Sequence, residues 1–147
     1  MTSGHRGQES SASGHRSVPH TADLCIEAWA GTREECIAEA VRGVIGSFTD
    51  TAGVAAGITR ECELRADTDE RLLAAVIEDV IYRMEAAAEV PADIRVTAAD
   101  HGVRLRFTMV SSGLVGQIGA VPKAVSLHGL RLAHDAQGWA GRVTLDV

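Results

Sequence analysis

Cysteine, proline and aromatic residues are all scarce in this 147-residue chain, which has three Cys, three Pro, two Trp, two Phe and one Tyr. Cys25, Cys36 and Cys62 are odd in number, widely spaced and set in apolar patterns with no CxxC pair. Neither a zinc knuckle nor a disulfide framework is expected from them, only small buried thiols. Rings that could stack on bases are few, and Trp29, Phe48, Phe107 and Trp139 fall at apolar positions inside predicted elements. Positive charge is also in deficit, with 14 Lys and Arg against 20 Asp and Glu and a net charge of −6. A chain that gripped RNA or DNA itself would show a basic face and exposed stacking rings, so no direct nucleic-acid binding is expected. No apolar run approaches the ~20 residues of a membrane span. The opening MTSGHRGQESSASGHR has no apolar h-region of a secretory signal. A cytoplasmic protein with no membrane contact is the expectation.

What is present is enough for one domain with a proper core, since 46% of the residues are hydrophobic. Residues 1–17 are rich in Ser, Gly, His, Arg and Gln and are expected to be a disordered tail, with no role for its His5 or His15. Residues 18–147 form the single domain. A first strand at 24–30 is apolar on both faces, as central strands are. Thr32 and Glu35 then have the spacing of a capping box, followed by a helix whose buried stripe is Cys36, Ile37, Ala40, Val41, Val44, Ile45 and Phe48. A strand at 58–66 precedes a second helix at 68–87, opened by a box of Asp67 and Glu70, with Pro91 at its exit. Alternation then gives a hairpin from Ile94–Ala98 to Val103–Met109, a Gly-rich uncharged connection at 111–122, and strands at 123–134 and 139–147. The fold class is α+β, two helices packed on one mostly antiparallel sheet in the order β-α-β-α-β-β-β-β.

No nucleophile elbow, phosphate loop or dinucleotide fingerprint occurs in the chain. Asp23 stands before the first strand and Asp146 at the end of the last. If those strands are neighbours, the two carboxylates converge at one edge, and the carboxylate and carbonyl of Val147 add further hard oxygen donors. Such a set suits Ca²⁺ or Mg²⁺ better than zinc. Taken singly, Asp23 and Asp146 also read as a turn residue and an exposed carboxylate. Asp50 has the alternative of a plain loop residue, although a carboxylate at a helix C-terminus opposes the dipole. His128 reads either as a base or as a structural histidine.

His20-Thr21-Ala22-Asp23, the following strand with Ala28-Trp29, Thr32 opening an acidic helix, and Thr49-Asp50 at its end resemble the start of the archease family. Lys123 to His128 (KAVSLH) and Gly138-Trp139 through Asp146-Val147 are similar to its last two strands. The resemblance covers about 18–147. It departs from the family at Leu127, where a Tyr is usual, and in the uncharged connection 111–122, where charged residues are usual.

The resemblance implies a non-enzymatic partner of an RtcB-type RNA ligase in tRNA splicing and RNA repair, promoting guanylylation and multiple turnover. It implies a divalent cation, Ca²⁺ foremost with Mg²⁺ or Mn²⁺ as alternatives, held by Asp23, Asp146 and Val147, with His20, Asp50, Lys123 and His128 as accessory residues. Two other readings compete: a chaperone-like modulator of nucleic-acid enzymes, and a stand-alone metal-dependent hydrolase.

Overall fold

The computed structural model describes residues 12–19, 23–55 and 57–147. In chain order the elements are β1 (Gly14–Pro19), β2 (Asp23–Ala30), α1 (Arg33–Phe48), β3 (Thr49–Asp50), β4 (Thr59–Arg65) and α2 (Asp69–Ala87). There follow β5 (Glu89–Ala99), β6 (Gly102–Ser111), a 3-10 turn (Ser112–Leu114), β7 (Gly116–Gln117), β8 (Ala124–Asp135) and β9 (Gly138–Asp146). The expected α+β order is present, with β1 and the two-residue β3 and β7 added to it. Residues 14–17, expected in a disordered tail, belong to β1.

Where one sheet was expected there are two principal ones, β1-β2-β9-β8 and β4-β6-β5, and a small β3–β7 pair. Every pairing is antiparallel. The helices form a layer between the two sheets. α1 packs on β1, β2 and β9 on one side and on β5 on the other, while α2 packs on β8 and on β4 and β5.

This placement explains why α1 is buried beyond its apolar stripe. Ala38, Glu39 and Gly43 are buried as well, because a helix covered on two sides has little solvent face left. Small residues let the sheet approach: a Cβ on Gly43 would stand 2.7 Å from Ile26 Cγ2. Phe107, Ile26, Ile37, Leu72, Leu73 and Ile77 are among the largest wholly buried side chains, so both sheets and both helices feed one core.

The helix ends differ in part from the expected boxes. Thr32 accepts from the Glu35 N–H at 3.1 Å, but the Glu35 carboxylate turns to Arg42 Nη1 at 2.7 Å instead of closing the box. The cap of α2 is Thr68, accepting from Arg71 N–H, and not Asp67. Helix α2 ends on Ala88 in a left-handed conformation (φ 53°), ahead of Pro91. Pro91 instead lies inside β5, at the register shift between Pro91 and Asp93, where a residue without an N–H is tolerated.

His15 also has a partner that a tail residue would lack. Its Nδ1 lies 2.9 Å from Oε1 of the buried Glu39, whose other oxygen accepts from Arg42 Nη1 at 2.8 Å. A buried carboxylate is costly unless bonded, and this network satisfies Glu39 while tying β1 to α1.

Two glycines of α1 are expected to respond oppositely. Gly43→Val must displace Ile26 and should destabilise by about 1–3 kcal/mol through overpacking. Gly46 is exposed, and a methyl group added at its Cα would meet no atom within 4 Å beyond its chain neighbours and the nearby backbone of its own helix. Gly46→Ala should therefore stabilise by about 0.5–1 kcal/mol. Urea midpoints of the two variants check both signs.

Candidate functional site

β2 and β9 are the central strands of the four-stranded sheet, and their register sets Asp23 directly opposite Asp146. The alternation fixes the face. Leu24 pairs with Leu145 and Ile26 with Val143, toward the helices, so Asp23 and Asp146 share the face turned away from them. Asp23 is half-buried and Asp146 exposed. On its other side Asp146 faces Ala124 of β8, and its carbonyl accepts the Lys123 N–H at 2.7 Å. Lys123 and Val147 are thus carried to the carboxylate pair by backbone connectivity.

Like charges directly opposite in a sheet oppose folding, and this pair sits where each strand begins or ends. The donors are oxygen throughout, which is the set that hard divalent cations take. Among the described residues no group of three or more His, Cys, Asp and Glu side chains is placed to hold a metal ion. A third donor from the described residues would therefore be an oxygen outside those four side-chain types, and the carboxylate and carbonyl of Val147 follow directly on Asp146.

Of the accessory residues only Lys123 is brought beside that pair; Asp50 and His128 form no metal-holding group with it. Asp50 Oδ1 accepts the Ala52 N–H at 2.9 Å, closing the turn after α1, and the residue lines a hollow with Thr49, Thr51, Arg42 and Asp93. His128 is exposed in an irregular stretch of β8, its N–H donating to Ser126 Oγ at 3.2 Å. His20 lies outside the described residues.

Nucleophilic chemistry finds no support in the cysteines. Cys25 and Cys36 are buried, and none of the three cysteines is joined in a disulfide. At half-buried Cys62, burial first and the Asp79 carboxylate second push the thiol up, away from the reactive thiolate.

The connection after β6 also reaches this end of the molecule. Cys36 lies by Ala28 and Gly43 over Ile26, so α1 runs antiparallel to β2 and ends near the β2 start. The Ile118 N–H donates to Phe48 O at 2.7 Å and Thr49 Oγ1 to Gly116 O at 2.6 Å, fastening residues 116–118 to the end of α1. Leu114 and Ile118 there are each 68% exposed.

Sequence reasoning missed the charges on the outer face of this sheet. Arg142 pairs with Glu27 on one side and Arg131 on the other, and Arg16 pairs with Glu27. The signal was available for one pair: counting back from the turn between Asp135 and Gly138 sets Arg131 opposite Arg142.

The chain matches the Archease protein family (MTH1598/TM1083) over residues 15–147. It is similar to the "Probable protein archease" of Mycobacterium tuberculosis (strain H37Rv), 50% identical over 141 residues that cover 96% of this chain and 79% of that one. It is also similar to the "Protein archease" of Methanosarcina barkeri, 26% identical over 136 residues, covering 88% and 93%. The solution structure of Methanobacterium thermoautotrophicum protein 1598 shares the fold with a TM-score of 0.72 at 20% identity, covering 91% of this chain and 99% of that one. The crystal structure of a Thermotoga maritima protein described as an archease, possible chaperone, has a TM-score of 0.64 at 20% identity, covering 88% and 94%.

Removing one charge of the pair should stabilise the protein when divalent ions are absent. Asp146→Asn in excess chelator is expected to gain about a few tenths of a kcal/mol, the scale of one exposed cross-strand pair. Thermal unfolding at low salt reads the sign, and an unchanged or lower Tm would show that the facing carboxylates do not repel.

Proposed function

This chain belongs to the archease family, and we propose that it is a non-enzymatic activator of an RtcB-type RNA ligase, working through a divalent cation held at the end of the four-stranded sheet. The observation that carries this reading is the facing of Asp23 and Asp146. Two strands whose residues are far apart in the chain bring two carboxylates together, and the core gains nothing from that. The holders would be the Asp23 and Asp146 carboxylates and main-chain oxygen of Val147, with Ca²⁺ first among the candidates and Mg²⁺ or Mn²⁺ next. A divalent ion there supplies a localised positive charge of the kind phosphoryl-transfer chemistry uses.

The residues of this chain have a positioning task in that scheme. Asp23 and Asp146 set the charge at a fixed corner of a rigid sheet, and the backbone bond from Lys123 to Asp146 holds the β9 end in place. The excess of acid over base favours docking on a basic, RNA-handling protein.

A second reading, a chaperone-like modulator, draws on the exposed Leu114 and Ile118 in the uncharged connection and on the description of the Thermotoga protein as a possible chaperone. Exposed apolar side chains of that kind suit transient contact with other proteins.

The test is guanylylation and multiple-turnover ligation by the RtcB-type ligase of the same organism, with and without this protein. Stimulation is expected from the wild type and loss of it, to within the unstimulated rate, from Asp23→Ala or Asp146→Ala. Stimulation that survives both substitutions would sink the metal-dependent scheme. Suppression of client aggregation that ignores both would favour the second reading.

Metal binding has its own readout. Ca²⁺ at about 100 times its Kd is expected to add about 2.7 kcal/mol to wild-type stability. Asp146→Asn should gain far less, and an equal rise in Tm for both proteins would place the ion elsewhere.

A further inference from the structure

Four residues along β9 from Asp146, roughly 13 Å at the rise of a strand, the outer face carries a charge cluster that the carboxylate pair does not use. Register aligns Arg16 of β1, Glu27 of β2, Arg142 of β9 and Arg131 of β8 in one row across all four strands. Glu27 accepts from Arg16 Nε at 2.7 Å and from Arg142 Nη1 at 3.3 Å. One carboxylate is thus shared by two guanidiniums, and exposed Arg131 makes no ion pair among the described residues.

Placing Arg131 directly against Arg142 costs stability, because like charges face each other across the ladder. The row borders a hollow of about 240 Å³ lined in part by Arg131, Arg142, Glu27 and Asp135. Ala133 and Ala140, paired with each other two residues along, also line it and leave it shallow-walled. At the far end of the row, the Arg16 guanidinium lies 5.8 Å from the ring centroid of Trp29.

The geometry points to a phosphate-binding site on this row, with Arg131 and Arg142 gripping the phosphate oxygens and Glu27 holding Arg142 in place. Guanidinium forks match phosphate oxygens two at a time, and a doubly charged anion offsets the repulsion between the two arginines. Phosphate fits better than a carboxylate because it offers enough oxygens, spread widely enough, to engage two forks together. Asp135 lines the same hollow and opposes an anion there, with one of its oxygens occupied by the Gln137 N–H at 2.8 Å, so the attraction has to come from the two guanidiniums. His134, which lines the hollow and stacks on Trp139 with ring centroids 5.1 Å apart, gives a planar surface on which a base can rest, so the phosphate is that of a nucleotide or of a short single strand of RNA. The whole-chain charge of −6 conceals such a site, because it sums over faces that the fold keeps apart.

Amide NMR titration of the full chain with pyrophosphate, with GTP and with a hexanucleotide RNA, each at low and moderate salt, tests the assignment. Saturable shifts are expected at the amides of Arg131, Arg142 and Glu27, weakened at least tenfold by Arg131→Gln. Arg95→Gln is the control, an exposed arginine that likewise faces another, Arg106, but on the other sheet; it should leave the affinity unchanged. Tighter binding of the hexanucleotide than of pyrophosphate assigns the phosphate to an RNA backbone, and equal or weaker binding assigns it to a free nucleotide. Shifts that do not saturate, an Arg131→Gln affinity equal to wild type, or a hexaglutamate peptide bound as tightly as either phosphate would each overturn the proposal. Asp146→Ala should leave this titration unaltered, so the site and the ligase-activator reading fail independently.

Discussion

The alignment of β2 on β9 is the constraint from which most of the structure follows. It joins the first half of the domain to its last strand and sets Leu24 and Ile26 against Leu145 and Val143 under α1. A slip of one residue would turn this apolar set outward and the carboxylates inward. The apolar core thus enforces the carboxylate pair: Asp23 and Asp146 cannot separate unless buried leucine, isoleucine and valine leave their places. The same alignment lays Glu27 beside Arg142, so one register sets an acidic pair and an arginine-rich row on a single face.

The elements with strong periodicity were legible in the sequence. Both helices and the β5–β6 and β8–β9 hairpins lie close to their expected positions, because apolar spacing and turn residues act locally. β1 was not legible. Its GHRSVP sequence holds a single aliphatic residue, and the strand is kept by pairing with β2 and by the His15–Glu39 contact, neither of which composition reveals. The division into two sheets was equally hidden, since alternation says which residues face inward but not which strands are neighbours.

The candidate site was half legible. The resemblance to a family named Asp23, Asp146 and Val147, and the fold sets the two aspartates face to face. Strand counting alone would have misplaced their neighbour. Counting back from the turn puts Leu127 opposite Asp146, whereas Ala124 stands there, because β8 holds additional residues between Ser126 and Arg131. Gly129, at φ 74°, supplies the backbone freedom that this irregularity needs. His128 is carried out with that stretch, which is why a histidine next to the position that counting sets opposite Asp146 forms no metal-holding group with the pair.

The order of the chain gives the central sheet a history. While a ribosome is still making the middle of the protein, β2 can pair with β1, but its other edge stays open until β9 emerges more than a hundred residues later. Pairings between distant segments form slowly, because a long loop must close before they bring any gain. A nascent chain therefore presents the unpaired edge of an apolar strand, a template for wrong pairings, for most of its synthesis.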